Sequence, residues 1–348
     1  MKSDLLELLV CSKCQGNLDM VEPKVLDDEL LSARLFCPEC SRTFALIEGI
    51  PRMVQDLGEM KTVAESFGFQ WRKYFESRFE EQTLYGRTAE QEIKYFLSSM
   101  GISKEDIEGK RILDAGCGCG KLTRMLGELG AREVVGVDIS EAAVVAYEHC
   151  RSLPNVHIIR ADIFDLPFGQ GTFDYVWSNG VIHHTPNARL AHERLSLMVK
   201  NGGKMYIWVY SKETNPFRFT VDVLRRLRII PRLSGGALFL FCRVIALPSY
   251  AALSLYRLVG KFRPLRPKTI RDASKARSRS YKEICFTWFD TLSPEFDSRH
   301  TLDEVIGWFR DQGFRGIRSM DYLIPYSSQT EAEIVFGAAS GVGVSGFK

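Results

Sequence analysis

Two pairs of cysteines and one aspartate at the head of a glycine loop are the residues of this sequence best suited to chemistry. Cys11-Ser-Lys-Cys14 and Cys37-Pro-Glu-Cys40 are CxxC knuckles with twenty-two residues between them. Each knuckle can present two thiolates from one tight turn, and two knuckles complete a tetrahedral set. Cys11, Cys14, Cys37 and Cys40 are therefore expected to hold Zn2+, with a buried or redox-active thiol set as the alternative. Four protein ligands close the coordination shell, so the expected zinc is structural rather than catalytic. It would stabilise a segment of roughly 50 residues whose own core is small.

The second constellation is RILDAGCGCGKLT, residues 111–123. An apolar run ends at Asp114, and a helical pattern with Leu122, Met125, Leu126 and Leu129 follows the glycines. A glycine loop between strand and helix marks the crevice where open α/β sheets bind nucleotides. Gly116, Gly118 and Gly120 lack the G-x-G-x-x-G spacing of a dinucleotide site. Asp114 would repel a pyrophosphate and attract a ligand carrying ammonium and sulfonium charge, which is S-adenosyl-L-methionine. Cys117 and Cys119 read as small residues beneath such a ligand rather than as a metal site.

Further motifs follow in order. EVVGVDIS ends a second strand at Asp138, placed to accept from ribose hydroxyls, and VHIIRADIFDLPF ends a third at Asp162, placed to accept from an adenine amino group. Ile139 and Ile163 are expected beside them. FDYVWSNGVIHH ends a fourth strand near Asn179, and NGGKMYIWVY supplies a turn and a fifth. In LDAGCGCGKLT, VVGVDIS, ADIFDLPF and FDYVWSNGVIHHTPN the chain resembles the class I S-adenosylmethionine-dependent methyltransferases, over roughly residues 65–340. The resemblance implies an α/β fold: a Rossmann-like, seven-stranded, doubly wound sheet. Residues 5–54 resemble, in their CPxC…GIPxM pattern, the small zinc-ribbon proteins that partner tRNA methyltransferases. This implies an interaction or stabilising module and fixes no substrate.

The sequence thus divides into a zinc-ribbon module (1–55), a helical cap or linker (56–108) and a methyltransferase domain (109–340) with a helical insertion at 211–285. IRSMDYLIPYSS and EAEIVFGAAS are expected to be the last two strands, and the tail GVGVSGFK (341–348) to be disordered. Trp71 and Tyr74 of the cap could close over the cofactor or belong to the core. SRHTLDEVIGWFRDQGF reads as a helix with a Thr301–Glu304 capping box, ending at Gly313.

A hydroxyl or phenol nucleophile would benefit from a general base. His184 is the leading candidate, followed by its neighbour His183 and by His300; any of them could instead order its loop. His149, His157 and His192 are placed on element surfaces and given no role.

The chain has 348 residues and a net charge of +3. Residues 1–60 hold six Lys/Arg against eleven Asp/Glu, a net −5, whereas residues 217–282 hold sixteen against two, a net +14. Within the basic segment, residues 233–256 hold a single charge, Arg243. Three arrangements are open for it: a membrane span, weakened by Arg243 and Pro248; a helical pair on an anionic membrane interface; or a lid on the sheet rim. Nine cysteines without a visible secretory signal suggest a reducing, cytoplasmic setting. The leading functional reading is methylation of a small-molecule or lipid-linked acceptor at oxygen. The alternatives are an RNA (tRNA or rRNA) methyltransferase and a non-catalytic cofactor-binding scaffold. An (N/D)PP(Y/F) motif and a Pro-Cys nucleophile are both absent, which counts against nucleic acid as substrate.

Overall fold

The acidic motifs fall at the carboxyl ends of buried parallel strands. The computed structural model describes residues 1–26, 29–76, 89–212, 233–261, 280–323 and 340–348. Its strands are Asp19–Leu26 (β1), Glu29–Phe36 (β2), Thr43–Ile47 (β3), Ile50–Arg52 (β4), Arg111–Ala115 (β5), Glu133–Asp138 (β6), Val156–Arg160 (β7), Phe173–Asn179 (β8), Val199–Tyr210 (β9), Arg315–Leu323 (β10) and Ser340–Phe347 (β11). They form one sheet in the order β1-β2-β3-β4-β7-β6-β5-β8-β9-β11-β10. The seven strands from β7 to β10 in that order make the expected doubly wound sheet, parallel except at β11.

The helices are Lys61–Glu76 (α1), Ala89–Met100 (α2), Lys121–Glu128 (α3), Ala142–Cys150 (α4), Ala188–Met198 (α5), Gly235–Lys261 (α6), Tyr281–Leu292 (α7) and Leu302–Asp311 (α8). β9 shows how the sequence fills both faces of the sheet. Met205, Ile207 and Val209 join one core with Leu113, Val137 and Phe309, while Tyr206, Trp208 and Tyr210 join the other with Ile112, Phe96 and Leu126.

The ribbon continues this sheet. β4 pairs in parallel with β7 through Arg52 and Arg160, and the Met53 N–H donates to the Arg160 carbonyl at 2.8 Å. Arg52 and Arg160 both engage Glu141. Leu5, Leu9, Leu35, Phe44 and Met53 share a single core with Leu113, Val137 and Ile159. A ribbon too small to bury its own apolar side chains buries them against the α/β sheet.

Three expectations are corrected. The tail is ordered from Ser340 to Phe347: it is β11, paired along its length with β9 and β10. Its glycines are not a sign of disorder. A Cβ on Gly341 would sit 2.0 Å from the Trp208 ring, and one on Gly343 would sit 2.5 Å from the Tyr206 hydroxyl, so bare backbone makes room for aromatic rings while Val342 and Val344 fill the opposite core. The motif EAEIVFGAAS lies, up to residue 339, outside the described residues. The insertion does not end at 285, because α7 runs unbroken to Leu292. His157 and His192 are buried rather than on surfaces; burial drives their rings down to about 4 and about 3, respectively, so both are neutral core side chains. The capping box of α8 forms as expected, with Thr301 accepting from the Glu304 N–H at 3.2 Å and Gly313 in the left-handed region.

Candidate functional site: an acid-lined crevice at the carboxyl end of the sheet

The glycine loop is built from left-handed backbone. Gly116, Gly118 and Gly120 have φ of 85°, 54° and 74°. The N–H groups of Gly116 and Cys117 donate to the Val137 carbonyl at 2.7 and 3.0 Å, which ties the loop to β6. A Cβ on Gly116 would lie 2.3 Å from Val181, and one on Gly118 would lie 2.5 Å from the Trp71 ring. Gly116→Ala should therefore cost about 1–3 kcal/mol of stability, read as a lower melting temperature together with weaker cofactor binding. An unchanged melting temperature would show that the loop tolerates a side chain.

The cavity below the loop brings together Asp114, Gly116, Asp138, Ile139, Asp162, Ile163 and Asn179 of the expected cofactor set, along with Cys117 and Cys119. Gly118 and Gly120 do not line it; Gly120 stands at the N-cap of α3 and packs on Ala146. Asp114 is 4% exposed, and its Oδ2 accepts from Thr123 Oγ1 at 2.6 Å. Burial pushes its carboxyl up to about 7; the Thr123 hydrogen bond opposes this, and the negative charges of Asp138 and Glu92 add to it. Asp138 Oδ1 accepts from both the N–H and the hydroxyl of Ser140, at 2.9 and 2.6 Å, which fills its lone pairs. Its Oδ2 accepts from the Gly118 N–H at 3.0 Å and keeps capacity for one more donor. Asp162 caps a short turn by accepting from the Phe164 N–H at 3.0 Å, which leaves its other oxygen to the cavity. Asn179 Oδ1 accepts from the Tyr95 hydroxyl at 3.2 Å.

α1 roofs the cavity with Val63, Phe67 and Trp71, spaced four residues apart on one helix face. Trp71 thus does close over the site, whereas Tyr74 is buried with Cys119, Val145 and Phe286 and takes a hydrogen bond from Lys121 Nζ at 3.4 Å. Two further carboxylates escaped the sequence reading: Glu92 of α2 and Asp290 of α7. Both are buried, and Asp290 accepts from Gln70 Nε2 at 3.1 Å and from the Tyr210 hydroxyl at 3.4 Å. Burial raises its carboxyl, and the His184 ring nearby draws it down. The available signal was a charge on the buried stripe of an amphipathic helix: Glu92 in step with Tyr95, Phe96 and Ser99, and Asp290 in step with Phe286 and Thr287.

Of the three candidate histidines, His184 alone lines the cavity. Its Nδ1 is 3.0 Å from the Phe296 carbonyl, which can only accept, so Nδ1 carries the proton and the basic lone pair of the neutral ring is on Nε2. His183 is fully buried with its ring 3.9 Å from that of Tyr210 and is no part of the cavity wall. His300 shares the rim through its backbone, donating from N to the Tyr210 carbonyl at 2.9 Å. Its ring turns instead to Ser298 Oγ at 3.0 Å and packs on Trp308.

Burial keeps the loop cysteines as thiols, with Cys117 well above its ordinary range and Cys119 at about 11. The four ribbon cysteines differ from these. Their sulfurs all lie within 4.8 Å of one another, with Cys14–Cys37 at 3.4 Å and Cys11–Cys40 at 3.6 Å. Tetrahedral Zn–S bonds imply S–S edges of about 3.8 Å, so the donor set fits zinc. Both knuckles share one geometry: the residue after the second cysteine, Gln15 or Ser41, takes a left-handed φ of 64° or 58°.

Residues 113–207 match the family model for the methyltransferase domain, and residues 2–49 match that for Trm112p-like protein. The segment similar to Trm112p-like protein thus precedes, in the same chain, the segment similar to the methyltransferase domain, and its strands extend the same sheet. The O-methyltransferase cnsE of Penicillium expansum is 31% identical over 112 residues, covering 31% of this chain and 41% of that one. Sterol 24-C-methyltransferase erg6 of Schizosaccharomyces pombe is 26% identical over 173 residues, covering 48% of this chain and 44% of that one. Demethylmenaquinone methyltransferase of Staphylococcus aureus is 29% identical over 148 residues, covering 38% and 59%. The chain thus spans less than two thirds of the length of these curated relatives. Among solved structures, a complex of the Haloferax volcanii Trm112 methyltransferase activator with a methyltransferase aligns at 15% identity, with a TM-score of 0.46, over 82% of this chain and 97% of that one.

Proposed function

We propose that the protein is an S-adenosylmethionine-dependent methyltransferase acting at oxygen on a small-molecule or lipid-linked acceptor, with a structural zinc in its ribbon. The observation that carries this reading is the convergence of Asp114, Asp138, Glu92 and Asp162 on one cavity at the carboxyl ends of β5 to β8. Such a wall disfavours phosphates and favours a cation. Asp114 and Glu92 would face the methionyl ammonium, Asp138 Oδ2 a ribose hydroxyl, and Asp162 the adenine amino group. The bound cofactor supplies an electrophilic methyl group on a sulfonium. This chain's part is to place the acceptor, to exclude water beneath Phe67 and Trp71, and to take the acceptor's proton at His184 Nε2. Asp290 stabilises the charged ring that results. The names of the relatives, an O-methyltransferase and two enzymes of sterol and menaquinone chemistry, support small or lipid-like acceptors over RNA. A screen of metabolite and lipid extracts with methyl-labelled cofactor tests the reading: label should enter an extractable, base-stable ether product. Label entering only RNA, or nothing, would refute it.

The raised carboxyl of Asp114 gives this reading a pH signature. A cationic ligand binds its ionised form, so below about pH 7 each bound cofactor must also displace a proton. Affinity for S-adenosylmethionine should therefore fall as pH drops from 8 to 6, by about tenfold per unit below the transition. Asp114→Asn should bind weakly at every pH with that slope removed. A slope retained in Asp114→Asn would assign the titration to another group.

A further inference from the structure

α6 is apolar on both sides. Its inner face sets Leu238 and Cys242 against Phe289 and Leu292 of α7, and Phe239 against Phe69 of α1. Its outer face exposes Leu240 (62%), Val244 (59%), Leu247 (56%) and Leu255 (61%), a stripe at helical spacing about 22 Å long. Over Gly235–Ala252 the helix is long and apolar enough to cross a membrane, yet only 17% of that window is buried. A core helix of such composition would be mostly covered.

We propose that this outer face docks the protein on an anionic lipid bilayer, lying in the headgroup interface rather than spanning it. Charge complementarity selects the occupant. The helix lies within the segment 217–282, whose net charge of +14 suits acidic headgroups. A second copy paired on the stripe would add a second segment of the same +14 charge with no surplus of acid to offset it. RNA would gain nothing from four exposed aliphatic side chains. A span is opposed by Arg243 and Pro248, and by the inner face: α7, on which α6 packs, carries Asp290 of the cavity, so the catalytic domain would have to enter the hydrocarbon as well. Docking through α6 sets the membrane one helix away from the cavity wall, where an amphiphilic acceptor could be reached without leaving the interface.

Flotation of the full chain tests this with vesicles of phosphatidylcholine, plain or with roughly 30% phosphatidylglycerol. The protein should float with the anionic vesicles, be released by high salt or alkaline carbonate, and remain behind with the neutral ones. The triple variant Leu240→Ser, Val244→Ser, Leu247→Ser removes exposed side chains only. It should keep its melting temperature and adenosylhomocysteine binding and lose about tenfold or more in partitioning. Equal flotation of variant and wild type would overturn the proposal. So would resistance to carbonate, which would indicate a span, or a wild-type dimer that the variant splits with no change in vesicle binding. Vesicle binding and cofactor binding are read separately, so failure of one leaves the other standing.

Discussion

Cys37→Ser should abolish the proposed zinc binding and with it most of the stability of the first 55 residues. A structural Zn2+ contributes about 10–16 kcal/mol of apparent binding free energy in small zinc modules, as much as the whole stability of an ordinary domain. Cys37 is fully buried, and its N–H is held by the Arg42 carbonyl at 2.8 Å, so serine offers the cluster a hard, poorly placed oxygen. The damage should not stop at the ribbon. β4 covers the edge of β7, and Leu35, Phe44 and Met53 share a core with the strands that carry Asp114 and Asp138. Loss of even about 5 kcal/mol there should lower the melting temperature by roughly 10–20 °C and open β1–β4 to proteolysis. Metal analysis and thermal denaturation check both halves. One zinc per chain retained in Cys37→Ser, or a melting temperature like that of the wild type, would remove the structural-zinc account.

His184→Ala should lower turnover by about 100- to 10,000-fold, the usual range for a general base, and leave adenosylhomocysteine affinity within about threefold. The separation follows from the geometry, since the carboxylates proposed for the cofactor lie on β5, on β6, just after β7 and on α2, whereas His184 lies beyond β8, next to Asp290. Asp290→Asn should lower turnover less, by about 10- to 100-fold. It keeps the side chain's shape while removing the charge that favours protonated His184, and it turns one acceptor facing Gln70 Nε2 or the Tyr210 hydroxyl into a donor. Both measurements use whichever acceptor takes up label in the extract screen. Undiminished turnover of His184→Ala would mean that the acceptor reacts without this base.

The strand-borne part of the crevice was legible because it is local. Asp114 and the three glycines lie within seven residues of one another, and a strand, a left-handed loop and a helix leave few sequences that fit. Asp138 and Asp162 were readable for the same reason, each ending or following a short apolar run. The helix-borne part of the crevice was not. Glu92 and Asp290 matter because two helices distant in sequence pack over one crevice, and nothing local says which buried stripe faces a cavity. His183 and His184 are adjacent and chemically identical, yet only the turn around them decides that one reaches the cavity while the other packs on Tyr210. The glycines of β11 were misread because their meaning sits on β9, in the rings of Tyr206 and Trp208.

Calorimetric titration with S-adenosylhomocysteine, and with NAD as the pyrophosphate control, probes the electrostatic claim beneath all of this. The carboxylate-lined crevice should bind one S-adenosylhomocysteine per chain, lose about 100-fold in affinity in Asp138→Ala, and ignore NAD. Uptake of NAD by a protein indifferent to S-adenosylhomocysteine would contradict the account at its root.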